Sequence, residues 1–296
     1  MSKFSIIIPT YNRANFIAST IQSVLNQEYK NFEVIVIDDG STDNTQEVVE
    51  SINDSRLKYI KKENGERAKA RNKGAQLAVG DYVNFLDSDD TLYPNHLSEA
   101  TVLIDKLHAP EVFHLNYDIL DDEKKTISNV KPIFGDLNLQ LVKKGNLLSC
   151  NGVFIRKDIA LQNPFNEDRD LSASEDFELW LRLASRYTIQ YNNTITSTII
   201  NHDQRSVLNF NIEKLVKRLS LFVHYIGKDP AFKAKYGSYL KLLTAHSFTY
   251  VALHIALTGK NKATSIYYLL KAIQKSPSVF TTKRFYSILV KNLTQY

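Results

Sequence analysis

The chain has a single cysteine, Cys150, in 296 residues. A lone thiol excludes an intramolecular disulfide and fits a reducing compartment. No run of 18 or more apolar residues occurs, so no membrane-spanning helix is expected. No secretory leader is visible, because Met1-Ser-Lys leads directly into the strand-like Phe4-Ser-Ile-Ile-Ile8. No Gly-x-Gly-x-x-Gly follows that first strand and no Walker-type Gly-Lys-Thr/Ser occurs, which takes support from dinucleotide and P-loop readings. No recognised nucleic-acid-binding module is present, so nucleic acid is not an expected partner. Acidic residues are scarce in one region: residues 201–296 hold 15 Lys/Arg and 3 Asp/Glu, a balance of +12, against −7 for residues 1–200. The two parts therefore face different partners, the acidic one suiting a metal and the basic one an anionic surface or polymer. Hydrophobic content of 43% and charged content of 23% are ordinary for a globular protein.

The densest chemistry lies in Asp81-Tyr-Val-Asn-Phe-Leu-Asp-Ser-Asp-Asp90. Tyr82, Val83, Phe85 and Leu86 read as a buried strand that runs into Asp87, Asp89 and Asp90. Like charges crowded at a strand end repel one another unless a cation neutralises them. Oxygen ligands suit Mg²⁺ or Mn²⁺, ions that commonly keep positions open for substrate phosphates. Metal-assisted chemistry on a diphosphate is the expectation. The competing reading is an Asp-rich turn capping the next helix.

The first hundred residues alternate strand and helix. Strands are expected at Ser5–Pro9, Phe32–Ile37, Leu57–Lys61 and Tyr82–Leu86, with helices at Asn15–Gln27, from Ser41 or Thr42 to Ile52, at Arg67–Ala78 and at Pro94–Leu107. This order predicts a mostly parallel sheet covered on both faces, with ligands beyond the carboxyl ends of its strands. Strands at Val112–Leu120, Gly152–Arg156 and Thr188–Ile200, with a helix at Ser174–Tyr187, predict a mixed continuation of the sheet that supplies a second substrate's site. Helices are expected at Ile212–Ile226, Ala231–Leu257, Ala263–Lys275 and Lys283–Asn292. The organisation expected is a catalytic domain over residues 1–208, with halves at 1–108 and 109–208, and a basic helical region over 209–296.

Three strand ends converge. Pro9-Thr-Tyr-Asn-Arg13 follows the first strand, where Tyr11 can stack on a flat base. Asp38-Asp39 follows the second, where a carboxylate can accept a base N–H or a ribose hydroxyl. The acidic cluster follows the fourth. With these in view, Phe4–Arg13, Tyr29–Asp43, Ala70-Arg-Asn-Lys-Gly74 and Phe85–Asp90 together resemble family 2 glycosyltransferases. The resemblance implies an inverting enzyme on a Rossmann-like nucleotide-diphosphosugar transferase fold of the A type. It places Pro9, Thr10 and Tyr11 at the nucleobase, Asp39 as its acceptor and Arg71 at the base or the diphosphate. The alternative for Arg71 is an ordinary surface charge. Asp87 would meet ribose, or the metal through water, and Asp89 would ligate the metal. The Glu-Asp pair in Ser174-Glu-Asp-Phe-Glu-Leu-Trp180 matches the family's motif at a helix start, with Asp176 as base and Glu175 as neighbour or substitute. Both acids could instead merely complement the helix dipole. His202 and Arg205 fall where relatives place polar residues near the metal or diphosphate; a lone His is more often structural.

The expected donor is a nucleotide-diphosphosugar, UDP-linked, and the acceptor a glycan or lipid-linked glycan of bacterial surface assembly, with one sugar added per encounter. Glu66, Arg67 and Lys69 depart from the small residues relatives carry there. The basic C-terminal helices, with Tyr267, Tyr268, Phe285 and Tyr286, suit peripheral contact with an anionic membrane at its cytoplasmic face, against the alternative of a solvated basic bundle. Two other functions compete. Leu86-Asp-Ser-Asp-Asp-Thr-Leu92 also fits a haloacid-dehalogenase-like phosphatase with Asp87 as nucleophile. A non-catalytic scaffold would keep the fold alone.

Overall fold

A computed structural model describes residues 2–121, 125–202, 211–259 and 261–294. Strand β1 (Phe4–Thr10), helix α1 (Ile17–Leu25), β2 (Phe32–Asp38), α2 (Thr45–Glu50), β3 (Leu57–Lys61), α3 (Glu66–Leu77) and β4 (Tyr82–Phe85) follow the expected order. The two-residue β5 (Thr91–Leu92), α4 (His96–Lys106), β6 (Val112–Asp121) and β7 (Thr126–Asn129) come next. Then follow α5 (Leu137–Lys144), β8 (Val153–Arg156), α6 (Lys157–Gln162), α7 (Glu175–Arg186) and β9 (Ile189–Asn201). Among the described residues one nine-stranded sheet runs β3-β2-β1-β4-β8-β6-β9-β5, with β7 on β6. The pairs among β1–β4 are parallel, whereas β8 joins β4 and β6 antiparallel and β6 joins β9 parallel. The parallel reading therefore holds for the first half, and the continuation is mixed.

Alternation within the strands sorts side chains to two cores. Ile7, Ile35, Ile37, Val83 and Phe85 face α3, α5, α6 and α7. Phe4, Ile6, Ile8, Val34 and Val36 face α1, α2 and α4. Glycine at position 74 sets how closely α3 can approach the sheet: a Cβ there would lie 2.3 Å from Ile7 Cγ2. Trp180, Leu179 and Leu183 are buried core, as expected. Cys150 also sits in this core, just before β8, and burial pushes its thiol well above the usual range.

Several local expectations are corrected. Ser41 and Thr42 do not cap α2; Asp43 Oδ1 accepts from Thr45 N at 3.1 Å instead. The expected long helix from Ala231 is divided. After α8 (Ile212–Lys228), α9 (Pro230–Tyr236) ends in a tight 3₁₀ turn at Gly237–Tyr239 before α10 (Leu240–Thr258). Then come α11 (Lys262–Lys275) and α12 (Lys283–Thr294). Gly227 lies inside α8 rather than ending it. The boundary expected at residue 208 falls outside the described residues.

The stretch Pro230–Thr258 is long and apolar enough, by length and composition, to cross a bilayer, with mean hydropathy 1.2 over its best window. In the fold α10 is the central helix of the C-terminal bundle, where it buries Leu243, Val251, Ala252 and Ile255. Phe222, Ile226 and Phe232 join the core that holds α7, which attaches α8 and α9 to the sheet.

Gly74→Ala should be destabilising. Overpacking costs about 1–3 kcal/mol, which outweighs a helix-propensity gain of about 1 kcal/mol. A lowered urea midpoint is expected; a raised one would show that α3 can shift away from β1.

Candidate active site

The loops after β1 and β2 are laced together. Asn12 N donates to Ser41 Oγ at 2.9 Å, Thr42 N to Asn12 Oδ1 at 2.8 Å, and Arg13 N to Thr45 Oγ1 at 3.0 Å. Asn12 takes φ 51 and Gly40 φ 84, conformations that suit Asn and Gly in tight turns. The paired aspartates after β2 divide their work. Asp38 is fully buried and holds the turn, accepting from Ser41 N at 2.7 Å and Tyr59 Oη at 2.5 Å. Asp39 is also buried but lines a cavity, its Oδ1 accepting from Gly65 N at 2.9 Å and pairing with Lys62.

The acidic loop is fixed from two sides. Thr20 Oγ1 donates to the carbonyls of Ser88 and Asp90 at 3.0 and 2.8 Å. Asp90 Oδ1 accepts from Ile200 N at 3.0 Å, which ties the loop to β9. Asp90 is therefore a structural residue of the cluster, leaving Asp87 and Asp89 at the surface of a cavity of about 400 Å³. Pro9, Thr10, Tyr11 and Asp39 line the same cavity, as the strand ends predict. Tyr11 is 47% exposed, which leaves its ring available for stacking. Thr10 Oγ1 is buried without a hydrogen-bond partner.

Asp89 Oδ2 lies 3.1 Å from His202 Nε2 and 3.7 Å from Arg13 Nε. The His202 ring stacks on Phe16 at 4.5 Å. Among the described residues no group of three His, Cys, Asp or Glu side chains is placed to hold a metal. Asp89 with His202, one carboxylate and one imidazole, nonetheless fits an ion that takes its remaining ligands from substrate phosphates and water. Arg205 lies outside the described residues.

Arg71 is not an ordinary surface charge. It is 1% exposed and does not line the cavity. Its guanidinium donates from Nη2 to Asp87 Oδ1 at 2.6 Å and from Nη1 to Glu175 Oε1 at 2.8 Å. The guanidinium carbon lies 5.1 Å above the Phe165 ring. Asn72, next in α3, accepts from Phe165 N at 2.9 Å and donates to the Phe165 carbonyl at 2.9 Å. The Arg-Asn pair of the Ala70–Gly74 motif thus locks α3 to the chain leading into α7, while Gly74 permits the close packing on β1.

Glu175 is buried on Arg71, whereas its neighbour Asp176 reaches a second cavity of about 290 Å³. Asp176 Oδ2 accepts from Asn146 Nδ2 at 3.1 Å, and Oδ1 accepts from Phe177 N at 2.6 Å. Burial, then the charge of Glu175, raise its carboxyl to about 6, with Arg71 opposing. That value sits close to what a general base at neutral pH requires. Helix-dipole complementation alone explains neither the cavity nor the upward shift, since a dipole would lower the value.

The sequence reading misses Lys62, Arg13 and Asn64, which sit beside the predicted acids. The pairing of Asp38 with Lys61 across β2 and β3 is the signal that places Lys62 near Asp39. The departures Glu66 and Arg67 do reach the first cavity.

Arg71→Ala should cost about 3–5 kcal/mol, because it strands buried Glu175 without its cation. Chemical denaturation checks this; a loss below about 1 kcal/mol, the range of an exposed pair, would contradict the buried bridge.

Comparison with known proteins bears on the family and the fold. The family described as glycosyl transferase family 2 matches residues 5–159. An uncharacterized glycosyltransferase of Rickettsia conorii is 30% identical over 82% of this chain, which spans 42% of that relative's length. An Escherichia coli protein named UDP-Glc:alpha-D-GlcNAc-diphosphoundecaprenol beta-1,3-glucosyltransferase WfaP is 29% identical over 74% of this chain and 84% of its own. The crystal structure of S. aureus TarS 1-349 in complex with UDP-GlcNAc shares the fold, with TM-score 0.63 and 20% identity over 99% of this chain and 93% of that one. The expected Rossmann-like fold of the A type is thus the one observed. From the match over residues 5–159 and the strand-end motifs that carry it, the chain belongs to glycosyl transferase family 2.

Proposed function

We propose that the protein transfers a sugar, with inversion, from a UDP-linked donor to a hydroxyl of a glycan acceptor, lipid-linked in the setting of bacterial surface assembly. The observation that carries this reading is Asp176, a carboxyl raised to about 6 at a cavity, one residue from the Glu175 that Arg71 ties to Asp87. The printed name of the E. coli relative, with its UDP-Glc donor and diphosphoundecaprenol-linked acceptor, supports the substrate classes. Residues 1–108 form the nucleotide half and 109–208 the acceptor half of this scheme.

The chemistry balances as a single displacement. The acceptor hydroxyl gives its proton to the Asp176 carboxylate as its oxygen bonds to the anomeric carbon. The bond from that carbon to the diphosphate oxygen breaks, and the nucleoside diphosphate leaves with the electron pair. Asp39, with Oδ1 held by Gly65 N, offers Oδ2 to the base, and Tyr11 stacks on it. Asp89 and His202 would hold Mn²⁺ or Mg²⁺, with Asp87 beside them, and the bound ion would offset the charge of the leaving diphosphate. Glu175 serves as a buried positioning residue rather than a second base. Asp87, the nucleophile of the phosphatase alternative, has Oδ1 on Arg71 instead. That alternative loses its ground with the family match.

The outer faces of α11 and α12 expose Tyr267, Leu270, Tyr286 and Leu293, and Lys275 and Lys283 are exposed along them, with Lys291 half-buried. This mixture supports contact with an anionic membrane at the cytoplasmic face. Phe285, in contrast, is only 8% exposed and belongs to the bundle core.

Calorimetric titration with UDP, with and without Mn²⁺, tests the donor site. Asp89→Ala should lose the metal-dependent part of binding. Asp176→Asn should keep UDP binding and lower transfer by about 10²–10⁴-fold. Near-normal turnover by Asp176→Asn would remove its assignment as base. A raised carboxyl pKa means protonation below about pH 6, so kcat/KM should fall as pH drops through about 6 and hold steady above it. A pH profile flat down to 4 would contradict that role. Vesicle sedimentation checks the membrane contact: binding to anionic vesicles that weakens with salt is expected, and equal binding to zwitterionic ones would refute the electrostatic part.

A further inference from the structure

The second cavity is closed by helices that the family match at residues 5–159 does not reach. Opposite Asp176, its wall carries Arg218 from α8, His246 and Tyr250 from α10, and Arg284 from α12. They come from three helices, with Arg218 and Arg284 66 positions apart in the chain, and only the packing of the C-terminal bundle brings them together. Both arginines belong to the basic set that the sequence reading assigns to a membrane face, yet both are half-buried here and turned inward.

Neither arginine has a carboxylate partner among the described residues. Other cations nearby do: Lys217 Nζ lies 2.6 Å from Asp170, and Arg186 Nη2 lies 2.7 Å from Asp229. Arg218 Nε is buried and makes no hydrogen bond. Arg284 Nη1 makes only long contacts to neutral oxygens, 3.5 Å to the His246 carbonyl and 3.4 Å to Thr249 Oγ1. Its guanidinium carbon lies 5.7 Å from the Tyr250 ring centroid. Burial and the Arg284 charge hold His246 down at about 4, so at neutral pH the positive charge of the cavity is that of the two arginines together with Lys144, which also lines it.

Two unpaired guanidinium groups in one cavity are costly unless an anion joins them. Their planar forks match phosphate oxygens. The rest of the lining suits a sugar, since Phe222 offers an aromatic edge and Asp176 a proton acceptor. At about 290 Å³ the cavity falls at the small end of ligand sites, which suits the reacting end of an acceptor rather than a long glycan.

We propose that this cavity is the acceptor site and that Arg218 and Arg284 clasp a phosphate group of the acceptor, which sets its sugar hydroxyl at Asp176. The inference rests on the glycosyltransferase reading and deepens it. The C-terminal helices then supply acceptor specificity, and the acceptor is a phosphate-linked sugar rather than a neutral glycan.

The test is calorimetry on the whole chain with its nucleotide cavity saturated with UDP. Three probes are compared: N-acetylglucosamine joined through a diphosphate to a short alkyl chain, the same sugar as an uncharged alkyl glycoside, and inorganic diphosphate. The wild type should bind the diphosphate-linked sugar about tenfold or more tightly than either other probe. Arg218→Gln and Arg284→Gln should each lose most of that preference while UDP binds as before, and Arg284→Lys should restore part of it. Equal binding of the charged and uncharged sugars overturns the proposal. So does an unchanged preference in both Gln variants, or inorganic diphosphate bound as tightly as the sugar probe. UDP titration reports separately on the nucleotide cavity, so a chain that takes UDP and ignores the probe loses its acceptor site and keeps its donor site.

Discussion

A guanidinium buried to 1% exposure must be matched by anions, and Arg71 is matched by two that come from opposite ends of the chain's logic. Asp87 closes the fourth parallel strand, and Glu175 opens α7, 104 residues beyond Arg71. Because a buried cation tolerates little slack, these two elements cannot drift apart without stranding a charge. The wall of the first cavity and the helix that carries Asp176 are held in one geometry by this side chain. The Asn72 bonds to Phe165 and the tight contact of Gly74 with Ile7 act in the same direction. The short motif around Arg71 is therefore a clamp between two cavities.

What the sequence revealed follows from how local each signal is. Of the four parallel strands, β1, β2 and β4 were legible as short runs rich in apolar residues, and β3 as a Leu-Lys-Tyr-Ile-Lys stretch before the turn at Asn64-Gly65. Asp39, Asp87 and Asp89 were legible because a parallel sheet brings its strand ends to one edge. β5 was not, since its two residues are a strand only through pairing with β9. Helix α5 carried usable signals in its Asp136 cap and Gly145 stop, and went unread beside the turn-rich segment before it. The break between α9 and α10 was hidden because apolar spacing continues through Gly237–Tyr239. The bridge that joins Arg71 to Asp87 and Glu175, and the inward turn of the arginines of the second cavity, have no local signature. Their roles depend on contacts across tens of residues, which composition and periodicity do not encode.

The charge asymmetry of the chain gains a finer meaning in three dimensions. Acidic residues of the first half are spent in different ways: Asp38 and Asp90 hold turns, Glu175 holds Arg71, and Asp39, Asp87, Asp89 and Asp176 reach cavities. Carboxylates a residue apart thus serve as fasteners or face a cavity according to which backbone N–H or cation reaches them first. The same holds for the basic tail, where Lys217 is bonded outside while Arg218 points inward.

Cys150 offers the molecule an internal clock. It is the chain's only thiol, sits in the same core as Trp180 and Ile155, and is held in its unreactive protonated form. Only the thiolate attacks alkylating and disulfide reagents, so modification must wait for the core to open. The labelling rate of this one sulfur would follow the opening of the sheet region around Arg71 directly, with no cysteine engineered in or removed.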